Sequence, residues 1–312
     1  MTQHKDFVGL DIGKFEICVF SSITGSTFTV PNTPSGHVQL QTKLGRPQGQ
    51  TIALEPTGGY EWAVWEVLDA AGYDVRQVSA AHVRAFARAT GALAKTDPID
   101  ARLIAEFMAF RPDCGRKLPE NKLRHLNALS AKRRQLVELR KRLKCQIQQH
   151  QDARLMDLDT ELLELLSRQI KVLDDAIQTK IKADPQIKQH AKILRSIPGI
   201  GPVLCAVLIG EMPELGSISD KQIAALAGVA PINNDSGKTD GKRSIKGGRY
   251  NVRCLLYQAA LVASTHNKHL KAFAKRLKAK GKPHKVILIA VARKLLVIAN
   301  ALVAKDQLWR ST

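Results

Sequence analysis

Apolar positions along the first hundred residues come in short runs that end in an acid or a turn. DFVGLDI (6–12), FEICVFS (15–21) and STFTV (26–30) are separated by Gly13-Lys14 and Thr24-Gly25, and predict a strand meander. A helix follows over 35–45. TIALEP (51–56) is a buried strand ending near Glu55, and Pro56-Thr57-Gly58-Gly59 breaks it. Tyr60 to Ala71 places Trp62, Trp65, Leu68 and Ala71 at helical spacing, 73–79 is a further strand and 81–89 a helix. Thr96-Asp97-Pro98 predicts a helix start, with a capping acid followed by proline at the first helical position. That helix runs through Ile99, Leu103, Ile104 and Phe107 and stops before Arg111-Pro112. Strands alternating with helices after a meander predict an α/β domain with a mixed sheet over 1–110.

From about 122 the pattern turns heptad-like. Leu129, Leu136 and Leu143 lie seven apart, with Leu139 and Ile147 at the three-four positions. A second arm runs Leu158, Leu162, Leu165, Leu166, Ile170, Leu173, Ile177, Ile181, and Asp184-Pro185 ends it. Two helices joined by a polar stretch at 150–154 predict an antiparallel hairpin or coiled-coil arm over 111–190, and an ordinary helical linker domain fits the same pattern. Residues 191–312 form a third, mostly helical unit. It contains a tight Ser196-Ile197-Pro198-Gly199-Ile200-Gly201 turn, a short helix over 221–228, a polar Gly-rich basic loop over 231–249, and long helices at 251–265 and 286–304 joined by the very basic stretch 268–285. The expected class is α/β plus α. The apolar run Val286–Ala304 is as long as a bilayer span, but Arg293 and Lys294 at its centre make that costly and assign it to a buried helix of a soluble protein.

Charge sharpens this division. The 312 residues carry 48 Lys+Arg and 28 Asp+Glu, a net +20. Residues 1–110 hold 9 basic and 11 acidic side chains, whereas 111–312 hold 39 and 17. An acidic front and a basic rear suit a chain that binds metal at one end and phosphate at the other, so nucleic acid is the expected partner. With aromatics at only 5%, binding dominated by many stacked bases is not expected. The five cysteines are scattered without a C-x-x-C, which excludes the common zinc and disulfide frameworks and fits a reducing cytosol. MTQHKDFVGLD shows no charged-then-apolar signal pattern. A cytoplasmic, nucleoid-associated protein with no membrane partner is the expectation.

Four carboxylates stand out. Asp11 and Glu55 end two predicted strands, and Asp97 and Asp100 share one face at a helix start. Sites in open α/β sheets form at strand ends. Carboxylates gathered there repel one another unless hard cations such as magnesium bridge them. Each also has a plain explanation: Asp97 as an N-cap, Asp100 as a first-turn acid favoured by the helix dipole, Glu55 as a strand-end residue facing water.

VGLDIGK (8–14), ALEPTGGY (53–60) and KTDPIDARLIAEF (95–107) resemble the three acidic motifs of the transposases of the insertion sequence 110 group, related to the Piv and MooV invertases. The resemblance implies a D-E-D-D set on a RuvC-like, ribonuclease-H-type fold, mapping onto Asp11, Glu55, Asp97 and Asp100, with Mg2+ as cofactor. It extends to the third unit. SIPGIGPVLCAVLI (196–209) resembles a helix-hairpin-helix element in which Gly199 and Gly201 let a phosphate approach the second helix's amides, although a plain interhelical turn reads equally well. LAGVAPINNDSGKTDGKRSIKGGRYNVRCLLY (226–257) resembles the second signature of the group, whose serine before glycine attacks DNA; that position is Ser236, in preference to Ser244. Lys238, Lys242, Arg243, Lys246, Arg249 and Arg253 would then hold the phosphate. Lys268–Lys285 is a candidate for phosphate-backbone contact, and a solvated linker fits it as well.

The resemblance further implies an element-encoded noncoding guide RNA pairing with donor and target DNA, a homo-oligomer of two or four subunits, and an active site completed between subunits. No G-x-x-x-x-G-K-[ST] occurs, in keeping with energy-independent strand exchange. Two other readings stand beside it. One is a metal-dependent Holliday-junction nuclease with a water nucleophile, the other a non-catalytic nucleic-acid-binding scaffold.

Overall fold

A computed structural model describes residues 6–92, 94–150, 152–233, 241 and 243–310. The chain divides into two compact units, Met1–Pro119 and Glu120–Thr312.

The first unit begins with β1 (Asp6–Ile12), β2 (Glu16–Ser21) and β3 (Thr27–Pro31), followed by α1 (Pro34–Leu44), β4 (Gln50–Leu54), α2 (Trp62–Ala70), β5 (Asp74–Gln77), α3 (Ala80–Ala89) and α4 (Asp97–Phe110). The sheet order is β3-β2-β1-β4-β5. β1, β2 and β3 pair antiparallel, whereas β4 lies parallel to β1 and β5 parallel to β4. This is the mixed sheet expected from the alternation of short runs. Its two faces bury separate clusters. Val8, Leu10, Ile12, Ile52 and Leu54 pack with Leu40, Trp65 and Leu68, while Ala53 packs with Val83, Leu103, Ile104 and Met108.

Gly9 explains how α4 sits. A Cβ there would lie 1.9 Å from the Ala101 carbonyl oxygen and 2.7 Å from the Ala105 nitrogen, so the helix rests directly on the strand backbone. Asp97 is not the N-cap the sequence suggested. Thr96 holds that position in extended conformation, and Asp97 is already the first helical residue.

The second unit is helical: α5 (Asn121–Ile147), α6 (Ala153–Ala183), α7 (Pro185–Ser196), α8 (Pro202–Glu211), α9 (Asp220–Leu226), a two-stranded ladder of β6 (Pro231–Ile232) and β7 (Ser244–Ile245), then α10 (Tyr250–His266), α11 (Lys268–Ala279) and α12 (His284–Ala304). α5 and α6 run antiparallel: Arg133 pairs with Asp174 at 2.5 Å, and Arg140 meets Ser167 one stretch further along. Leu136, Leu166 and Ile170 form a small core between them. Only part of the apolar pattern faces the partner helix, because Leu139, Leu158, Leu162 and Leu165 are exposed.

α12 runs through the main core, burying Leu288, Val291, Ala292, Leu295, Leu296 and Ala299. It is the one helix among the described residues long and apolar enough to cross a membrane, and half of its most apolar stretch is buried inside the protein. The stretch 268–285, read from sequence as a basic connection, is largely α11. Leu270, Phe273, Ala274 and Leu277 recur at helical spacing among the lysines and pack onto the core.

Candidate functional site

Leu10 pairs with Leu54 in the parallel β1–β4 ladder. The next residues, Asp11 near the end of β1 and Glu55 just past β4, therefore lie side by side. Side chains alternate across a sheet, so Asp11 shares a face with Gly9, and Glu55 with Ala53. That is the face covered by α4. The Gly9–Ala101 contact brings the first turn of α4, with Asp97 and Asp100, to the same edge. The helix N-terminus favours negative charge there, and Thr96 as cap leaves the Asp97 carboxylate unspent on capping.

The charge of the neighbouring acids reaches Asp11 and Glu55. Burial, then Asp97 and Asp100, push the Asp11 carboxyl from 3.8 up to about 6. Burial, then Asp11 and Asp100, raise Glu55. Lys95 and Arg84 oppose both shifts. The Arg84 guanidinium, from α3, lies 3.5 Å from Asp100. Among the described residues no three His, Cys, Asp or Glu side chains already close around a common point as a metal cage. The donor set is nonetheless all carboxylate oxygen, which suits a hard divalent cation, and the repulsion within it is what such a cation relieves.

Three residues near this edge carried no signal in the sequence. Arg84 lies on a helix whose pattern marks it only as a helix over 81–89. Glu61 is buried: its Oε2 accepts from the Thr57 amide (3.2 Å), the Thr57 hydroxyl (3.2 Å) and the Gly59 amide (2.8 Å), and its Oε1 from Gln77 (3.3 Å). Gln77 in turn accepts from Arg116 at 2.7 Å. Glu61 thereby braces the loop that follows Glu55. Asn32 donates from Nδ2 to the carbonyls of Gly13 (2.9 Å) and Tyr60 (3.2 Å), tying the loop after Asp11 to the loop after Glu55.

In the second unit, Ser236, Lys238 and Lys242 lie outside the described residues. The ladder pairs Ile232 with Ser244, so the ends of the segment that carries Ser236 are held together. Arg243 and Lys246 are exposed. Arg249 is engaged within the fold, donating to both Glu214 oxygens at 2.6 Å and to the Met212 sulfur at 3.1 Å. Arg253 donates to the Gly247 carbonyl and lies over the Tyr250 ring, 5.4 Å from its centroid. Gly228 and Gly248, both with positive φ, pack backbone to backbone: a Cβ on Gly248 would meet the Gly228 nitrogen at 2.2 Å. Gly201 is the exposed N-cap of α8, whereas Gly199, at φ +111°, makes room for α10, its missing Cβ falling 2.6 Å from that of Ala263.

Comparison with known proteins gives matches to both units. Residues 8–155 match the profile of the DEDD transposase domain of the IS110 kind, and residues 191–275 match the profile described as transposase IS116/IS110/IS902 family. The chain is 29% identical to the pilin gene-inverting proteins of Moraxella lacunata and Moraxella bovis, each alignment covering 97% of both chains. It is 28% identical to an uncharacterized protein of insertion element IS116 from Streptomyces clavuligerus, over 48% of this chain and 39% of that one.

Proposed function

Since the chain belongs to the IS116/IS110/IS902 family of transposases, enzymes of DNA transposition and recombination, we propose that it cuts and rejoins DNA through a transient phosphoserine bond at Ser236. Asp11, Glu55, Asp97 and Asp100 hold the divalent metal in this reading. The observation that carries it is the placement of Asp11 and Glu55 at neighbouring strand positions on the face where the first turn of α4 brings Asp97 and Asp100. The sheet order, with β2 antiparallel between β1 and β3 and β4–β5 parallel, supports a ribonuclease-H-type, RuvC-like reading of the first unit.

Held by Asp11, Glu55, Asp97 and Asp100, magnesium would supply charge neutralisation for the attacked phosphate and the departing oxygen. The remaining steps belong to the chain. The Ser236 hydroxyl attacks a backbone phosphorus. A new O–P bond forms as the bond to the 3′ oxygen breaks; the hydroxyl proton is released and the departing oxygen takes one up. Attack by a 3′ hydroxyl of another duplex reverses the step and regenerates the serine. Bonds made equal bonds broken, so no nucleotide cofactor is needed.

Arg243 and Lys246, exposed beside the ladder, supply cations for the phosphate, together with Lys238 and Lys242. The exposed start of α8 at Gly201 and the lysines of α11 offer further backbone contacts. Sequence choice is delegated to a noncoding guide RNA, and two or four subunits bring the acids of one to the serine of another. By their names, the Moraxella relatives invert a pilin gene, a rearrangement that requires DNA to be cut and rejoined.

The test is denaturing electrophoresis for protein covalently attached to cut DNA. Wild type is expected to form the adduct, and Ser236→Ala to lose both adduct and recombination while remaining folded. Cleavage retained by Ser236→Ala would instead support a Holliday-junction nuclease using water. Biological activity unchanged in both Asp11→Asn and Asp100→Asn would instead support a non-catalytic nucleic-acid-binding scaffold.

A further inference from the structure

Two loops leave the acid-bearing strands, and each carries an exposed aromatic ring. Phe15, at the β1–β2 tip, is 76% exposed, and Tyr60, in the loop after Glu55, is 46% exposed. Isolated exposed rings need no explanation. These two are set on a built support. Asn32 accounts for both ends of it: its backbone amide donates to the Phe15 carbonyl at 2.8 Å, its Nδ2 reaches Gly13 and Tyr60, and its Oδ1 meets Nε2 of the buried His37 at 2.8 Å.

The Tyr60 loop is specified a second time, from below, by Glu61, whose two oxygens are both engaged. Its Gly58 (φ +76°) and Gly59 (φ +114°) adopt conformations that side chains resist. A buried carboxylate, two left-handed glycines and a cross-tying asparagine thus fix a short rim, while the rings it bears touch solvent. Lys14 lies at the same tip, its Nζ 5.0 Å from the Phe15 ring centroid.

We propose that Phe15 and Tyr60, with Lys14, form a stacking platform for unpaired DNA bases at the rim of the carboxylate edge. The proposal rests on the DNA-cutting reading above. At a rim beside four acids, a phosphate away from the metal is repelled and a side-chain cation is partly neutralised by its neighbours. An aromatic face attracts a base without depending on charge, so it is the kind of contact that can hold a strand next to this edge. Lys14 brings a positive charge to the tip and suits the phosphate flanking the stacked base. Strand exchange must unpair bases around the cut, which provides the occupant. The low aromatic content of the chain is compatible with this, because the platform needs only two rings.

The experiment uses the full chain with magnesium and a DNA duplex carrying 2-aminopurine in a short unpaired gap. Quenching of the fluorescent base is expected on binding to wild type. Phe15→Leu and Tyr60→Leu keep an apolar group but remove the ring; each is expected to lose quenching and to raise half-saturation on the order of 10-fold. Phe15→Tyr and Tyr60→Phe are expected to behave as wild type. Divalent-ion binding, followed by terbium luminescence, is expected to be unchanged in all four.

Quenching retained by both leucine variants would overturn the platform. So would equal quenching with a fully paired duplex, or preference for an RNA of the same design. A fall in sedimentation rate caused by Phe15→Leu would assign the ring to contact with a second copy and overturn it too. Quenching that survives in wild type while no covalent adduct can be found would support the platform and defeat only the serine chemistry.

Discussion

The two units use charge in opposite ways. In the first, like charges are pressed together at the end of a sheet: Asp97 is not a cap, and Asp11 is raised first by burial and then by Asp97 and Asp100. In the second, cations divide into two kinds. Arg249 and Arg133 are bound to carboxylates within the fold, whereas Arg243 and Lys246 stand in solvent. Repulsion that a fold tolerates suits a divalent counter-ion, while a cation already paired at 2.6 Å points to architecture. Net charge therefore identifies the units, and only geometry separates the working residues from the structural ones.

The largest expected effect comes from separating the acids. Gly9→Ala puts a methyl 1.9 Å from the Ala101 oxygen and must lift α4, because the obstacle is helix backbone and cannot rotate away. A cost of about 3 kcal/mol or more is expected in urea unfolding. Recombination should vanish even where the variant is held folded at low temperature. A Gly9→Ala protein with wild-type stability and activity would mean that α4 does not position Asp97 and Asp100.

Next comes the acid cluster itself. Asp11 has a folded value near 6 against 3.8 as an ordinary carboxylate, so the fold binds its proton more tightly than the open chain does. The stability from this group is complete below about pH 3.8 and is lost as pH rises through about 6. At pH 8 without divalent ions, Asp11→Asn should therefore melt a few degrees above wild type, and the gap should close toward pH 4. Magnesium should raise wild type at pH 8 and leave Asp11→Asn nearly unmoved. A variant that melts below wild type at pH 8 would show that the repulsion is not felt.

Much of this edge was legible in the sequence, for definite reasons. Asp11 and Glu55 close apolar runs of strand period, and Pro98 marks a helix start, so three element ends announce themselves. What pattern does not carry is how elements touch. Asp97 falls one place inside the helix because Thr96 takes the cap. Glu61 looks like any helix-leading acid until the loop residues Thr57 and Gly59 and Gln77 of β5 converge on it. The heptad leucines divide by helix face, with Leu166 and Ile170 inside and Leu158, Leu162 and Leu165 outside. In α11 the lysines mask a helical apolar stripe. Arg243 and Arg249 are the same residue type in the same basic loop, and only the position of Glu214 distinguishes them.

That last pair gives the smallest effects and the sharpest contrast between the units' two kinds of cation. Arg249→Ala removes a two-pronged bond to Glu214, and both side chains are partly exposed, so solvent absorbs part of the loss. About 1 kcal/mol of stability should go in urea unfolding. DNA affinity measured at saturating folded protein should change little, because the guanidinium is engaged by Glu214. Arg243→Ala and Lys246→Ala reverse the pattern, leaving stability within about 0.5 kcal/mol. Each should lower the slope of log affinity against log salt by about one, as expected when the protein neutralises one phosphate fewer. If Arg249→Ala lowers the salt slope as much as Arg243→Ala does, the Glu214 pair opens on binding, and paired and displayed cations in the second unit belong to one DNA-binding set.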